Sequence, residues 1–571
     1  MNRRMRGGLA ALLGAALVIP LSVTATTASW NDREWAYGGP IGTGSLQCDG
    51  STAFDTRSRG TFLAGQLLGV NLDAIAELEE MRLTVNADGT AAPSPGEAID
   101  LGSTPPTFTY ANPFDVTALG IVGVDLTGFA VGVPGAALGA ANQWAQGAPT
   151  GQTAGASGLI NDSGAVLVSD DTPSDDLPAP GTIDITALLP TIPGLSTARL
   201  EVGAVAASSQ LDGCAALREQ IWGIAPAEPA VQRDYGIAGL DVVVDAPAVG
   251  ALTGAVNTTV TGLNASVADL VGPGGLIAQT LESTLLQTVT GLVGVDLTGT
   301  VTITGLDLGA TVAPFLGLTL DGNGFTIDLA NGRILVDIER LSGPLNNAGP
   351  NTQLVLNAGV VNDIVAEAGI LLDEWVDDVV AALDTAIRAA QLTISLSSTV
   401  SRTVLGVPVE FASVTVTLSS TIGQVLSGET TVSVSASLLG GIIPTPLLNA
   451  LLSGILGSAG ALTTALVGLL TTELIDPITT LGATLSTLSA PVVNALAGLV
   501  NALPSVVSLM VNVQPDQAGA PPGSTYIEPG PRSTAEYAVT ALRLGLADFD
   551  TPADVAHVRF ATGSAGPVTL P

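Results

Sequence analysis

The chain is 571 residues long, with 51 acidic residues against 17 basic ones, every one of them Arg, a single His and two Cys. Apolar residues make up 47% and charged ones 12%, which allows several buried cores and is far from the composition of a charge-rich disordered polymer. A net charge of −34 without any Lys excludes a nucleic-acid role, which needs clustered cations, and also excludes phosphate-loop lysines, Schiff bases, Ser-Lys dyads and Lys–Asn cross-links.

Residues 1–28 read as a secretory signal: Arg3, Arg4 and Arg6 form the positive region, Leu9 to Leu21 the apolar one, and small residues continue to Ala28. The apolar stretch falls short of the roughly 20 residues of a membrane span. Cleavage after Ala25 or after Ala28 fits the small-residue pattern; the expectation is Ala28, leaving Ser29-Trp30 at the new terminus. In an exported chain Cys48 and Cys214, both in polar turn-like settings, are expected to form one disulfide. Loop entropy puts its contribution at about 4–5 kcal/mol as an upper figure.

From 29 to 245 short apolar runs alternate with Gly, Pro, Thr and Asp clusters, so this region is expected to be β-rich, with strands at Val166 to Val168, Val202 to Val205 and Leu240 to Val244. The loop of Asp170, Asp171, Asp175 and Asp176 lies among prolines and lacks a D-x-D-x-D-G calcium pattern, so it reads as a solvated loop. From 246 to 515 sheet and helix signals mix. An antiparallel meander is expected over 300–339, with Asn323-Gly324 and Asn331-Gly332 at its turns. A helix from Asp363 to Ala390 carries an apolar stripe through Ile364, Ala368, Leu371, Leu372, Trp375, Val379, Leu383 and Ile387. Asp377 and Asp378 on that helix are adjacent, do not face each other, and read as a solvated face. A second sheet over Leu392 to Leu438 alternates apolar residues with Thr and Ser, which predicts one wet side.

Leu447 to Leu474 is long and apolar enough to span a bilayer, but the nearest Arg residues, Arg402 and Arg532, are distant. Pro477, Pro491 and Pro504 are expected to divide the apolar stretch beyond Leu474 into separate helices folded into a core, with no transmembrane span in the mature chain. Residues 516–571 return to strand character and are expected to complete a sheet begun upstream. Val122 to Gly128 recurs unchanged as Val293 to Gly299, one repeat at a distance, which is no solenoid signature. The fold class is therefore α+β, with mainly antiparallel, sandwich-like sheets and with amphipathic and apolar helices packed in the central region.

Several stretches carry a family resemblance: Gly60-Thr61-Phe62-Leu63-Ala64-Gly65, Leu68-Gly69 with Leu72-Asp73, Asn112 to Leu119, and Gly139 to Ala145. They continue with Ala156-Ser157-Gly158 to Gly164-Ala165-Val166, Asp234 to Ala238 and Ala246 to Gly250. In these the chain resembles the choice-of-anchor G family, secreted surface proteins of Gram-positive actinobacteria that share a body and differ in their C-terminal anchor. The resemblance implies a surface or secreted role and brings no catalytic residues. No Leu-Pro-x-Thr-Gly motif, apolar helix or basic tail comes after Phe560. The mode of anchoring stays open among release, non-covalent retention and an anchor beyond Pro571.

No catalytic constellation emerges. His557, in Ala556-His557-Val558, has apolar neighbours and reads as structural, and no G-x-S-x-G elbow exists. Neither a cofactor site nor a metal site is expected, since two Cys and one His build no zinc centre. The expectation is a non-enzymatic secreted or envelope-associated protein, structural or adhesive, whose partners are cell-envelope components or extracellular surfaces. The alternatives are an extracytoplasmic carrier of an apolar ligand, motivated by the apolar helices of 447–511, and a carboxylate-pair glycan hydrolase.

Overall fold

The computed structural model describes residues 46–67, 70–72, 79–113, 124–125, 142–272, 274–288, 297–355, 358–404, 407–438, 445–546 and 556–571. The signal sequence and its cleavage point at Ala28-Ser29 lie outside them, as does most of both copies of the Val-Gly-Val-Asp-Leu-Thr-Gly repeat. The chain divides into Met1–Thr52 and Ala53–Pro571. The described part of the first unit is a turn, in which the Asp49 carboxylate accepts from the Ser51 backbone N–H at 3.0 Å.

The second unit is α+β and contains four antiparallel sheets. An eight-stranded sheet runs in spatial order Thr352–Leu354, Val507–Val513, Tyr537–Leu546, Ala556–Thr569, Asp55–Leu67, Met81–Val85 and Ala91–Ser94, with Val70–Asn71 turned back on Asp55–Leu67. Against it packs a six-stranded sheet of Val231–Ile237, Val205–Asp212, Gln152–Gly158, Asn142–Gly147, Phe108–Ala111 and Ile99–Asp100. Where Gly60 and Gly155 meet the opposite sheet there is no room for a side chain. A Cβ built on Gly155 would overlap the carbonyl oxygens of Arg59 and Ser564, and one on Gly60 would overlap the backbone of Trp144 and Ala156. Backbone therefore touches backbone, nearer than the roughly 10 Å usual between stacked sheets, and Cα–H groups lie against carbonyls. Hydroxyls bond across the gap: Ser58 Oγ donates to the Gln146 carbonyl (2.9 Å), Thr153 Oγ1 to that of Arg57 (2.8 Å) and Ser209 Oγ to that of Tyr537 (2.7 Å).

A third sheet has seven strands: Thr319–Gly322, Phe325–Asp328, Arg333–Asp337, Leu240–Asp245, Thr197–Val202, Gly181–Asp184 and Val124–Asp125. Two neighbouring chain segments cross from it into the six-stranded sheet, at 203–204 and at 238–239, tied by Gly203 N–H to the Gly239 carbonyl (2.9 Å) and Ala238 N–H to that of Ala204 (2.8 Å). The run Val202 to Val205, expected as one strand, is thus the crossing point between two strands. Val166 to Val168 is not a strand either; Val166 makes only an isolated bridge to Ile160. The meander over 300–339 is interrupted by a helix, Leu308–Leu316, whose start is capped by the Asp307 carboxylate accepting from Ala310 N–H. Its proline, Pro314, concealed a helix of little more than two turns.

The helical part is built on apolar stripes. Ala358–Ala389 buries Ile364, Ala368, Leu372, Trp375, Val379, Leu383 and Ile387, and leaves Asp377 and Asp378 exposed. Asp476–Ala502 packs between this helix and Pro247–Leu270. Pro491 does not divide it: the residue is exposed, and its missing N–H frees only the carbonyl of Thr487, also on the exposed face, where water can take the bond. By length and composition Ala459–Ser505 is able to cross a membrane. Leu462, Leu466, Leu470, Leu474, Leu481 and Leu485 are buried, whereas the outward side carries Thr479, Thr480, Thr484 and Thr487, whose hydroxyls donate to carbonyls one turn back. Leu276–Thr288, Thr445–Gly457 and the short helix Ile422–Leu426 pack against a four-stranded sheet of Thr298–Thr304, Gln391–Val404, Val407–Thr421 and Ser433–Leu438.

Candidate functional site

Three places in the second unit bring chemistry-bearing residues together. The first is the open face of the four-stranded sheet. Period-two alternation sends Leu392, Ile394, Leu396, Val414, Val416 and Leu418 into the core. The opposite positions form cross-strand ranks: Thr302, Thr393 and Ser419; Thr300, Ser395, Thr417 and Ser433; Thr298, Ser397, Thr415 and Ser435; Thr399, Ser413 and Ser437. All of these are exposed or half-exposed, and none is charged. Ser413 and Ser437 share a hydrogen bond of 2.6 Å. Each hydroxyl both donates and accepts, so the face presents a neutral, regular hydrogen-bonding lattice.

The second place is a row of carboxylates on the seven-stranded sheet, where Glu201, Asp241 and Asp337 stand opposite one another on adjacent strands. Burial, with repulsion from Asp337, Glu201 and Glu339, pushes the Asp241 carboxyl up to about 6. At the other end of the same strands the Thr197 hydroxyl, helped by Arg199 at 2.8 Å and Arg333 at 3.2 Å, holds Asp245 below the ordinary carboxylate range. Among the described residues no three of His, Cys, Asp and Glu are arranged to hold a metal ion.

The third place is a cavity of about 440 Å³. The strands that carry Glu201 and Asp241 on one side turn Leu200 and Val242 into it from the other. Leu354, Val355, Leu503 and Leu509 supply further apolar wall, and Arg543, buried in the eight-stranded sheet, supplies a cation. A smaller compartment of about 200 Å³ is lined by Arg543 again, with Arg559, His557, Ser524 and Thr525. Met510, Arg543 and Arg559 stand in one cross-strand row. The loop Pro521-Pro522 borders both spaces. The segment before it, 514–518, is pinned by Asn351 Nδ2, which donates to the Gln514 and Ala518 carbonyls (3.0 Å each), and by the buried Arg233–Asp516 ion pair at 2.8 Å.

Of the residues singled out in the sequence, Cys48 and Cys214 are each disulfide-bonded, which fits an oxidising compartment. Asp170 accepts from Asn346 Nδ2 at 2.6 Å, while Asp171, Asp175 and Asp176 are exposed. His557, read as structural, borders the small compartment. The cavity itself escaped the sequence reading; its one signal was the pair Arg543 and Arg559 placed in apolar strands of a lysine-free, acidic chain. The motif residues behind the family resemblance, Gly60, Trp144, Ala156 and Gly236, gather at the tight sheet interface or beside it and do not line the cavity. No curated protein and no solved structure matches the chain. A family model described as a domain of unknown function, DUF8394, matches residues 58–566, and the chain belongs to that family.

Proposed function

We propose that this chain is a non-catalytic, exported protein of the cell envelope that adheres to a neutral, hydroxyl-rich polymer through the Ser/Thr face of its four-stranded sheet. The observation that carries this reading is the lattice itself: four ranks of hydroxyls without a charge, in a chain with 51 acidic residues placed elsewhere. Charged polymers would meet nothing there to pair with, whereas a polysaccharide exchanges hydrogen bonds to water for hydrogen bonds to hydroxyls at little desolvation cost. The resemblance to choice-of-anchor G proteins, the secretory signal and the disulfide support export. The apolar run Ala459–Ser505 belongs in this reading to the folded core, because its buried Leu stripe is backed by a Thr face and not by a lipid-facing one.

Sedimentation of the purified protein with cell-wall fractions tests the proposal. The wild type is expected to pellet with them, and the double variant Thr300→Glu, Thr417→Glu to remain in the supernatant while melting at an unchanged temperature. A wild type that shows no affinity for cells or walls, or a double variant that pellets equally well, would overturn it.

A further inference from the structure

We propose that the strand Ser433–Leu438 is a self-association edge, through which two copies of this chain pair antiparallel about a two-fold axis perpendicular to their sheets. The strand ends the four-stranded sheet and is paired on one side alone, with Val407–Thr421.

The ladder fixes where its backbone groups point. The Val301 carbonyl accepts from Gly272 N–H at 3.1 Å, so Val301 turns its backbone away from Gln391–Val404. In an antiparallel sheet this direction alternates from residue to residue. Carried through the pairs Val301–Ile394, Ile394–Leu418 and Val416–Val434, the alternation turns the N–H and C=O of Val434, Ala436 and Leu438 outward. Val432, in phase with them, does point outward: its N–H donates to the Thr463 hydroxyl at 3.0 Å. Past that capped position no backbone group among the described residues bonds to the outward row.

Other sheet edges in the molecule are blunted in the usual ways, by shortness, charge, proline or cover. Ala91–Ser94 contains Pro93, Thr319–Gly322 contains Asp321, and Thr352–Leu354 has three residues. Ile99–Asp100 and Val124–Asp125 have two each. Val231–Ile237 carries Arg233 and Asp234, and Asn346 holds both the N–H and the carbonyl of Ile237. Thr298–Thr304 is capped at its centre by Gly272. Ser433–Leu438, by contrast, is six residues of Ser, Val, Ala and Leu, with neither charge nor proline.

A second copy of the chain is the occupant that this edge fits. An axis through Ala436 sets Ala436 against itself and Val434 against the second copy's Leu438, so every outward residue exchanges both groups, about six hydrogen bonds in all. The rotation keeps each face on its own side. Serines meet serines, and Val434 and Ala436, half-buried where Val414 and Val416 of the next strand are fully buried, gain apolar neighbours. Two chains of net charge −34 need an uncharged place to meet, and this edge is one. A contact of this size falls below about 1,200 Å², so the dimer is weak and reversible. Pairing would join two hydroxyl faces into one; it does not depend on what that face binds.

Sedimentation equilibrium of the purified protein, with no polymer present and at about 5–500 µM, tests it. The average mass is expected to rise reversibly from one chain toward two. Raising NaCl from about 0.05 to 0.5 M should tighten the dimer several-fold by screening the two acidic bodies from each other. Ala436→Pro removes an outward N–H and no bond to Val407–Thr421, so it should weaken the dimer at least roughly tenfold with an unchanged circular dichroism spectrum. Should that variant fail to fold, the double variant Ser435→Glu, Ser437→Glu does the same work. Both positions are exposed, and the axis sets each against the other, like charge against like. A wild type that stays monomeric throughout, a dimer that salt dissociates, or a folded variant that pairs as well as the wild type would each overturn the proposal.

Discussion

The sandwich and the four-stranded sheet are both antiparallel and both rich in Thr, Ser and small residues, yet they bury their surfaces in opposite ways. In the sandwich two sheets meet backbone to backbone at Gly60, Gly155 and Gly563, with hydroxyls bonding across to backbone carbonyls, while Met81, Leu83 and Val85 fill the space beside Ala145. In the four-stranded sheet Leu, Ile and Val fill one face against helices, and the hydroxyls of the other face water. The difference teaches that Ser and Thr in a strand do not by themselves mark the wet side. They go inside where the opposite backbone is near enough to accept their protons, and outside where a helix already covers the other face.

This contrast can be broken at either end. Gly155→Val is expected to have the largest effect, a loss of about 4 kcal/mol or more, because the carbonyls of Arg59 and Ser564 belong to paired strands and have no room to retreat. Chemical denaturation reads it, and a Gly155→Val protein as stable as the wild type would show that the sheets do not meet as described. Leu396→Ala in the four-stranded sheet removes volume instead of adding it and should cost about 3 kcal/mol. Its midpoint in urea should fall with the slope unchanged.

A smaller effect of opposite sign sharpens the picture at the seven-stranded sheet. Asp241 holds its proton more tightly folded than unfolded, since its carboxyl is raised from 3.8 to about 6. The folded state therefore binds more protons between these values, and stability declines as pH rises from about 4 to 6 and is flat above. Asp241→Asn should remove that decline and gain about 1–2 kcal/mol at pH 7, after allowance for partial exposure. Melting curves at pH 4 and pH 7 check it; an unchanged pH dependence in Asp241→Asn would refute the assignment.

Much of the local structure is legible in the residues. The stripe from Ile364 to Ile387 marks a helix because only a period of 3.6 aligns those positions, and Asn323-Gly324 marks a hairpin because Gly324 has a φ of +89° there. Two short elements were misread for local reasons. Pro314 conceals a helix, and the run Val202-Gly203-Ala204-Val205 conceals a passage between sheets, since Val202 and Val205 each suit a strand whichever sheet they join.

By itself, then, the sequence determined the acidic, lysine-free chemistry, the α+β class, and the one-sided wetness of the sheet over 391–438, because these depend on composition and on neighbours two to four residues apart. Only the tertiary structure decided that Gly155 lies against Arg59 and Ser564, that three carboxylates line up across Glu201, Asp241 and Asp337, and that Arg543 shares a cavity with Leu200 and Leu503. Those meetings join positions tens to hundreds of residues apart, and no local periodicity specifies which strand becomes whose neighbour.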